Sequence, residues 1–101
     1  MNIKEKYGTK EMERDFGPVT FGSALESFRK CEELTLREFS ARLEISVQNL
    51  CDLEKGRKVP SASRAAKIAR IIGEPESYWI QLAFQDTLRK ENFTFKVKIE
   101  E

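Results

Sequence analysis

Gln48 and Asn49 stand side by side, with Ser46 and Val47 directly before them and Lys55, Arg57 and Lys58 shortly after. A primary amide carries a donor and an acceptor on one edge, the pattern that bonds bidentately to adenine, and a valine can touch a thymine methyl. The same amides also serve as solvated positions beside a helix start, and residue type alone favours that plainer reading. The cations sharpen the question. From Lys55 to Arg70 the chain carries Lys55, Arg57, Lys58, Arg64, Lys67 and Arg70 with no acidic residue among them, although the formal net charge is only +1. Such a stretch either grips phosphates or forms an ordinary cationic face in water.

Other chemistries find little support. The sequence has no His, no glycine-rich phosphate loop and no carboxylates grouped on one face, so the usual acid–base, nucleophile and cofactor signatures are missing. An enzyme is the weakest reading, and no cofactor is expected. Cys31 and Cys51 lie far apart without zinc-site spacing; no metal is expected, and both read as small reduced side chains. Met1 to Lys10 mixes Lys and Glu with no apolar run, and no stretch is long enough to span a bilayer. The expectation is a cytoplasmic protein with no membrane partner.

The elements that must position the amides can be read from periodicity and caps. A chain of 101 residues has room for one domain. Residues 1–18 are polar and of mixed charge, ending in Gly17-Pro18, and read as a flexible arm; residues 19–90 form the domain, and 91–101 a C-terminal tail. Phe21, Leu25 and Phe28 give the buried face of a first helix, from Thr20 to near Glu32. Thr35-Leu36-Arg37-Glu38 has the form of a capping box, opening a short second helix with Leu36, Phe39 and Leu43 inward. Glu44-Ile45 leaves room only for a tight connection before Ser46, the N-cap of a third helix that runs to Gly56. Ser61 caps a fourth, with Ala65, Ile68, Ala69 and Ile72 on one face and Gly73 closing it. Pro75 is placed at the first position of a fifth helix, which ends near Lys90. The fifth is apolar in several directions, through Tyr78, Trp79, Ile80, Leu82, Ala83 and Phe84. Phe93, Phe95, Val97 and Ile99 alternate with polar residues and predict a short strand, which needs a partner for its backbone groups.

Two short helices joined by a tight turn, with a supporting helix before and a basic connection after, are the arrangement that lays one helix into the major groove of DNA. From about Leu25 to Leu82 the sequence resembles the Cro/C1-type (XRE family) helix-turn-helix regulators. The likeness is carried by Leu34-Thr35, Phe39-Ser40-Ala41-Arg42-Leu43, Ile45-Ser46, Leu50-Cys51-Asp52-Leu53-Glu54-Lys55-Gly56-Arg57 and Pro60-Ser61. The resemblance implies an all-α, five-helix Cro/C1-type (lambda repressor-like) DNA-binding domain, here with a short C-terminal β-strand. It implies that Glu54-Lys55-Gly56 closes the recognition helix, so that Val47, Gln48, Asn49 and Asp52 face bases. Ser46, Lys55, Arg57, Lys58 and Arg37 would then face phosphates.

Three residues depart from the family pattern. Leu36 stands where many relatives have a phosphate-binding Gln, Glu44 replaces the usual turn Gly, and Asp52 brings a negative charge toward the groove, where it could accept from cytosine N4. Binding by a monomer would be weak, so the expectation is a homodimer on a near-palindromic operator, with recognition helices about 34 Å apart. The run from Trp79 to Lys90 followed by a short strand, with Thr20-Phe21-Gly22 before the first helix, is similar to HigA-like antitoxins. That likeness implies a repressor of its own operon and a RelE-like or HigB-like toxin as partner. A stand-alone phage- or host-type repressor, and an interaction module that keeps the fold without binding DNA, are the alternatives.

Overall fold

The computed structural model describes residues 18–93 together with Val97 and Ile99. Among the described residues there are five helices: α1 Phe21–Cys31, α2 Leu36–Leu43, α3 Val47–Glu54, α4 Ala62–Ile72 and α5 Glu76–Lys90. The expected arm, apart from Pro18, lies outside the described residues. So does most of the expected strand. Its described positions Phe93, Val97 and Ile99 are not in strand geometry, and no strand occurs among the described residues. A strand forms only where a neighbour completes its backbone hydrogen bonds. Here the amide of Val97 donates instead to the Gln85 side chain, at 2.8 Å. The all-helical fold is therefore corrected in one respect, the C-terminal β-strand.

The helix starts follow from short polar side chains that satisfy orphan amides. Thr20 and Ser23 form a capping box on α1. Thr35 and Glu38 form another on α2, with the Glu38 amide donating to Thr35 Oγ1 at 3.0 Å and the Thr35 amide to Glu38 Oε1 at 2.9 Å. These bonds from Thr35 hold the Glu38 carboxyl below its ordinary pKa. Ser46 and Ser61 cap α3 and α4. Pro75 sits one residue earlier than expected: its ψ of 124° is extended, so the first helical residue is Glu76.

All five helices end alike, with a residue in the left-handed region: Glu33, Glu44, Gly56, Gly73 and Asn92. At each end the amide of the following residue reaches back five positions, as from Leu34 to the Arg29 carbonyl and from Ile45 to that of Ser40, both at 3.0 Å. This is the Schellman closure, which satisfies carbonyls left over at a helix end. At Glu44, between the two central helices, φ is 60°. A side chain there costs about 1 kcal/mol relative to Gly, which Ile45 helps to offset by packing against the core.

The core draws on every helix. Phe21, Leu25, Phe39, Leu43, Leu50, Leu53, Ala65, Ile68, Ala69, Ile72, Trp79, Leu82 and Ala83 form one buried cluster. Each large side chain in it contributes about 1.5–3 kcal/mol relative to leaving it exposed. Phe21 meets Trp79 edge-on, with centroids 5.3 Å apart, and Phe28 stacks on Phe39 at 5.8 Å. Asp86 on α5 accepts the Phe21 amide at 2.9 Å and the Arg89 guanidinium at 2.7 Å, which ties the fifth helix to the start of the first. A carboxylate at that position also complements the positive end of α1. Phe84 remains 43 % exposed and Phe93 49 %, so part of the surplus apolar character of the C-terminal third stays on the surface.

Candidate nucleic-acid interface

Two contacts with α1 fix where α3 lies. Gly22 lets the backbones approach closely: a Cβ there would stand 2.5 Å from the Glu54 carbonyl oxygen and closer still to that of Leu53. Two turns later on α1, Arg29 forms a fork with Glu54, Nε to Oε2 at 2.8 Å and Nη2 to Oε1 at 3.1 Å. Its Nη1 donates to the Leu34 carbonyl at 3.1 Å, so one guanidinium joins α1, the loop before α2 and the end of α3. Little of either side chain is exposed, and the Glu54 bond raises the Arg29 pKa.

With its last turn held in this way, α3 presents its first turn to solvent. Ser46, Val47 and Gln48 are exposed, Val47 by 42 %, and Asn49 is half-buried. Ser46 Oγ accepts the Asn49 amide at 3.0 Å, which leaves its O–H free to donate. The Gln48 amide nitrogen donates to Asp52 Oδ1, one turn on, at 3.0 Å. Arg57 Nε donates to the same oxygen at 2.8 Å, and Lys58 Nζ lies 3.6 Å from Oδ2. Lys58 Nζ also donates to Asn49 Oδ1 at 3.3 Å.

Five of the predicted residues, Gln48, Asn49, Asp52, Arg57 and Lys58, therefore form one network. The loop after α3 is folded onto the helix by the same residue: the amides of Arg57 and Lys58 both donate to the Asp52 carbonyl, at 2.9 and 3.2 Å. Gly56, with φ of 75° and open space around it, makes that reversal. Arg57 and Lys58 remain more than half exposed. Lys55 and Arg37 are exposed and stand outside the network.

Asp52, which the family pattern turns toward the groove, is largely covered by its neighbours. The residue is 8 % exposed and its carboxylate is engaged by three side chains. The Arg57 guanidinium beside it, with help from Gln48 and Lys58 and against the effect of burial, holds the carboxyl below its ordinary pKa. The same contact raises the pKa of Arg57.

Sequence reasoning missed some neighbours. A surface cavity of about 250 Å³ adjoins the end of the network, and Arg64 and Ser61 line it beside Asn49 and Lys58. Arg29 was also missed. The available signal was Glu54, a carboxylate in phase with the buried stripe of α3, which demands a cation from another element.

Among the described residues there is no group of side chains that could hold a metal ion, and no helix is long and apolar enough to cross a membrane. No curated protein and no solved structure matches the chain. A helix-turn-helix family model matches residues 25–79, more than half of the sequence. That span takes in the supporting helix from Leu25 onward, the two short helices with their left-handed turn at Glu44, and the basic loop after α3. The chain belongs to the helix-turn-helix family of DNA-binding transcription regulators, in its Cro/C1-type (XRE) branch.

Proposed function

We propose that this regulator is a sequence-specific repressor that reads DNA with the first turn of α3. The observation that carries the reading is the exposed turn Ser46 to Asn49, flanked by the cations of the following loop. In this reading Gln48 and Asn49 bond base edges and Val47 meets a thymine methyl. Ser46, Arg37, Lys55, Arg57 and Lys58 take phosphates, and the amides at the head of α2 add a partial positive charge. Asp52 acts from behind these groups.

The repressor works as a two-fold dimer on a near-palindromic operator, because one helix of this size reads only a few base pairs. The exposed Phe84 and Phe93 support a dimer contact in the C-terminal third. In its narrower form the proposal makes the protein an antitoxin-type autorepressor whose partner is a RelE-like or HigB-like toxin. The resemblance of residues 79–90 and of Thr20-Phe21-Gly22 to HigA-like antitoxins supports that form.

Binding measured against salt and against Gln48→Ala tests the assignment. Affinity for the operator is expected to fall steeply with salt, as counterions return to the phosphates. Gln48→Ala is expected to cost about 1–3 kcal/mol on the operator and almost nothing on unrelated DNA. A flat salt response together with no effect of Gln48→Ala would mark a protein-interaction module instead.

A further inference from the structure

The network on α3 has one member whose chemistry fixes the orientation of another. We propose that Asp52 is a positioning residue that sets which way the Gln48 amide faces, and thereby makes Gln48 select adenine. The proposal rests on the reading of α3 as the base-reading helix.

An ionised carboxylate only accepts hydrogen bonds, so the 3.0 Å contact from Gln48 to Asp52 Oδ1 must use the amide nitrogen. One N–H of Gln48 is thus committed to Asp52. The other N–H and the amide oxygen remain together on the outer edge, the donor and acceptor pair that matches N7 and N6 of adenine. A reversed amide would offer its nitrogen to the O6 of guanine, but it would turn its oxygen toward Asp52, where two oxygens would face each other.

Asp52 is suited to hold this orientation. Its side chain is 12 % exposed, and its charge is balanced by Arg57 at 2.8 Å and Lys58 at 3.6 Å, with no acidic neighbour among these contacts. Oδ1 already accepts from both Gln48 and Arg57, which leaves it poorly placed to read a base itself. Leu36 on α2 has no polar group with which to do this work. The support comes from within α3, one turn along.

Asp52→Asn separates positioning from a merely structural role, because the two predict opposite signs. Asparagine can accept from or donate to Gln48, so both amide orientations become available. At one symmetric pair of operator positions the preference for adenine over guanine is expected to fall by roughly tenfold, within the range for one bidentate contact. Nonspecific affinity is expected to rise, since Arg57 and Lys58 are released from a negative charge and can bind phosphates. Adding Asp52→Asn to Gln48→Ala should cause no further loss of preference at that position. A uniform fall in affinity with the adenine preference intact would overturn the proposal, as would loss of a cytosine preference.

A second measurement needs no DNA and no variant. In a nitrogen-resolved proton spectrum of the native protein, the Gln48 side-chain amide proton that faces Asp52 should be shifted and protected from exchange beyond what the two protons of a free glutamine show. Two protons exchanging as in a free glutamine would overturn the proposal even if Asp52→Asn failed to fold. If the native protein shows this signature but selects no sequence, the base-reading role of α3 fails, and with it the selection of adenine. The positioning contact would then be left as a structural one.

Discussion

Replacing Gly22 by alanine is expected to destabilise the protein by about 3 kcal/mol, at the upper end of the range for overpacking. Overpacking is mild where the opposing atom ends a flexible side chain. Here the new Cβ would meet the carbonyl oxygens of Leu53 and Glu54, which belong to the last turn of α3 and cannot rotate away. Either α1 and α3 separate or the end of α3 unwinds. For a domain of this size the loss corresponds to a fall in melting temperature of about 12–24 °C. Gly56→Ala provides the contrast. It meets no atom but keeps φ at 75°, so it should cost only about 1 kcal/mol. Thermal melts of the two variants side by side check the point, and equal losses would mean that the close approach at Gly22 does not limit the packing.

Breaking the pair between Arg29 and Glu54 should cost more still. Glu54→Ala leaves a guanidinium of low exposure with the Leu34 carbonyl to accept its hydrogen bond and Glu26 as a more distant opposite charge, and the expected loss is about 3–5 kcal/mol. Arg29→Ala strands the carboxylate in the same way. Against a total stability of about 5–15 kcal/mol, either change brings the fold close to its limit. Replacing both residues together, Arg29→Met with Glu54→Leu, removes both charges and restores apolar volume, so it should lose much less than the sum of the single changes. Urea unfolding of the native protein, Arg29→Met, Glu54→Leu and the double variant gives the coupling energy directly. A coupling below about 1 kcal/mol would place the pair with ordinary surface bridges and leave the position of α3 to apolar packing alone.

Both predictions concern residues that a reading of the sequence treats unevenly. Helix starts were legible at Thr35, Ser46 and Ser61, each of which places a hydroxyl where an orphan amide needs one, whereas the start at Thr20 was read from apolar periodicity and its capping box was missed. Helix ends were legible at Gly56 and Gly73, where the residue type announces a left-handed backbone. At Glu33 the same conformation is adopted by a side chain that does not announce it, at Asn92 by the non-glycine type that adopts it most readily, and at Glu44 it followed only from the family pattern. The stripes of α2 and α4 were legible because their periodicity matches their burial. The role of Gly22 was not, since a glycine within a helix shows no sign of what lies across from it until the partner backbone is placed.

The site divides along the same line. Residue types drew attention to Ser46 to Asn49 and the cations after them, and only the family register assigned them to the groove. The direction of Asp52 was not legible. An aspartate on a helix can face outward or fold back onto a neighbouring cation, and Gly56 decides the matter by turning Arg57 and Lys58 onto it. The predicted strand failed at its described positions for a similar reason, since alternation shows a capacity to pair but not the presence of a partner.

Selecting bound DNA from a random pool with the native protein asks whether the first turn of α3 reads DNA as part of a two-fold dimer. The expected result is a near-palindromic site with half-sites about one helical turn apart, each containing an adenine whose selection is lost with Gln48→Ala. Recovery of DNA without a shared sequence, or of a shared sequence unaffected by Gln48→Ala, would contradict it.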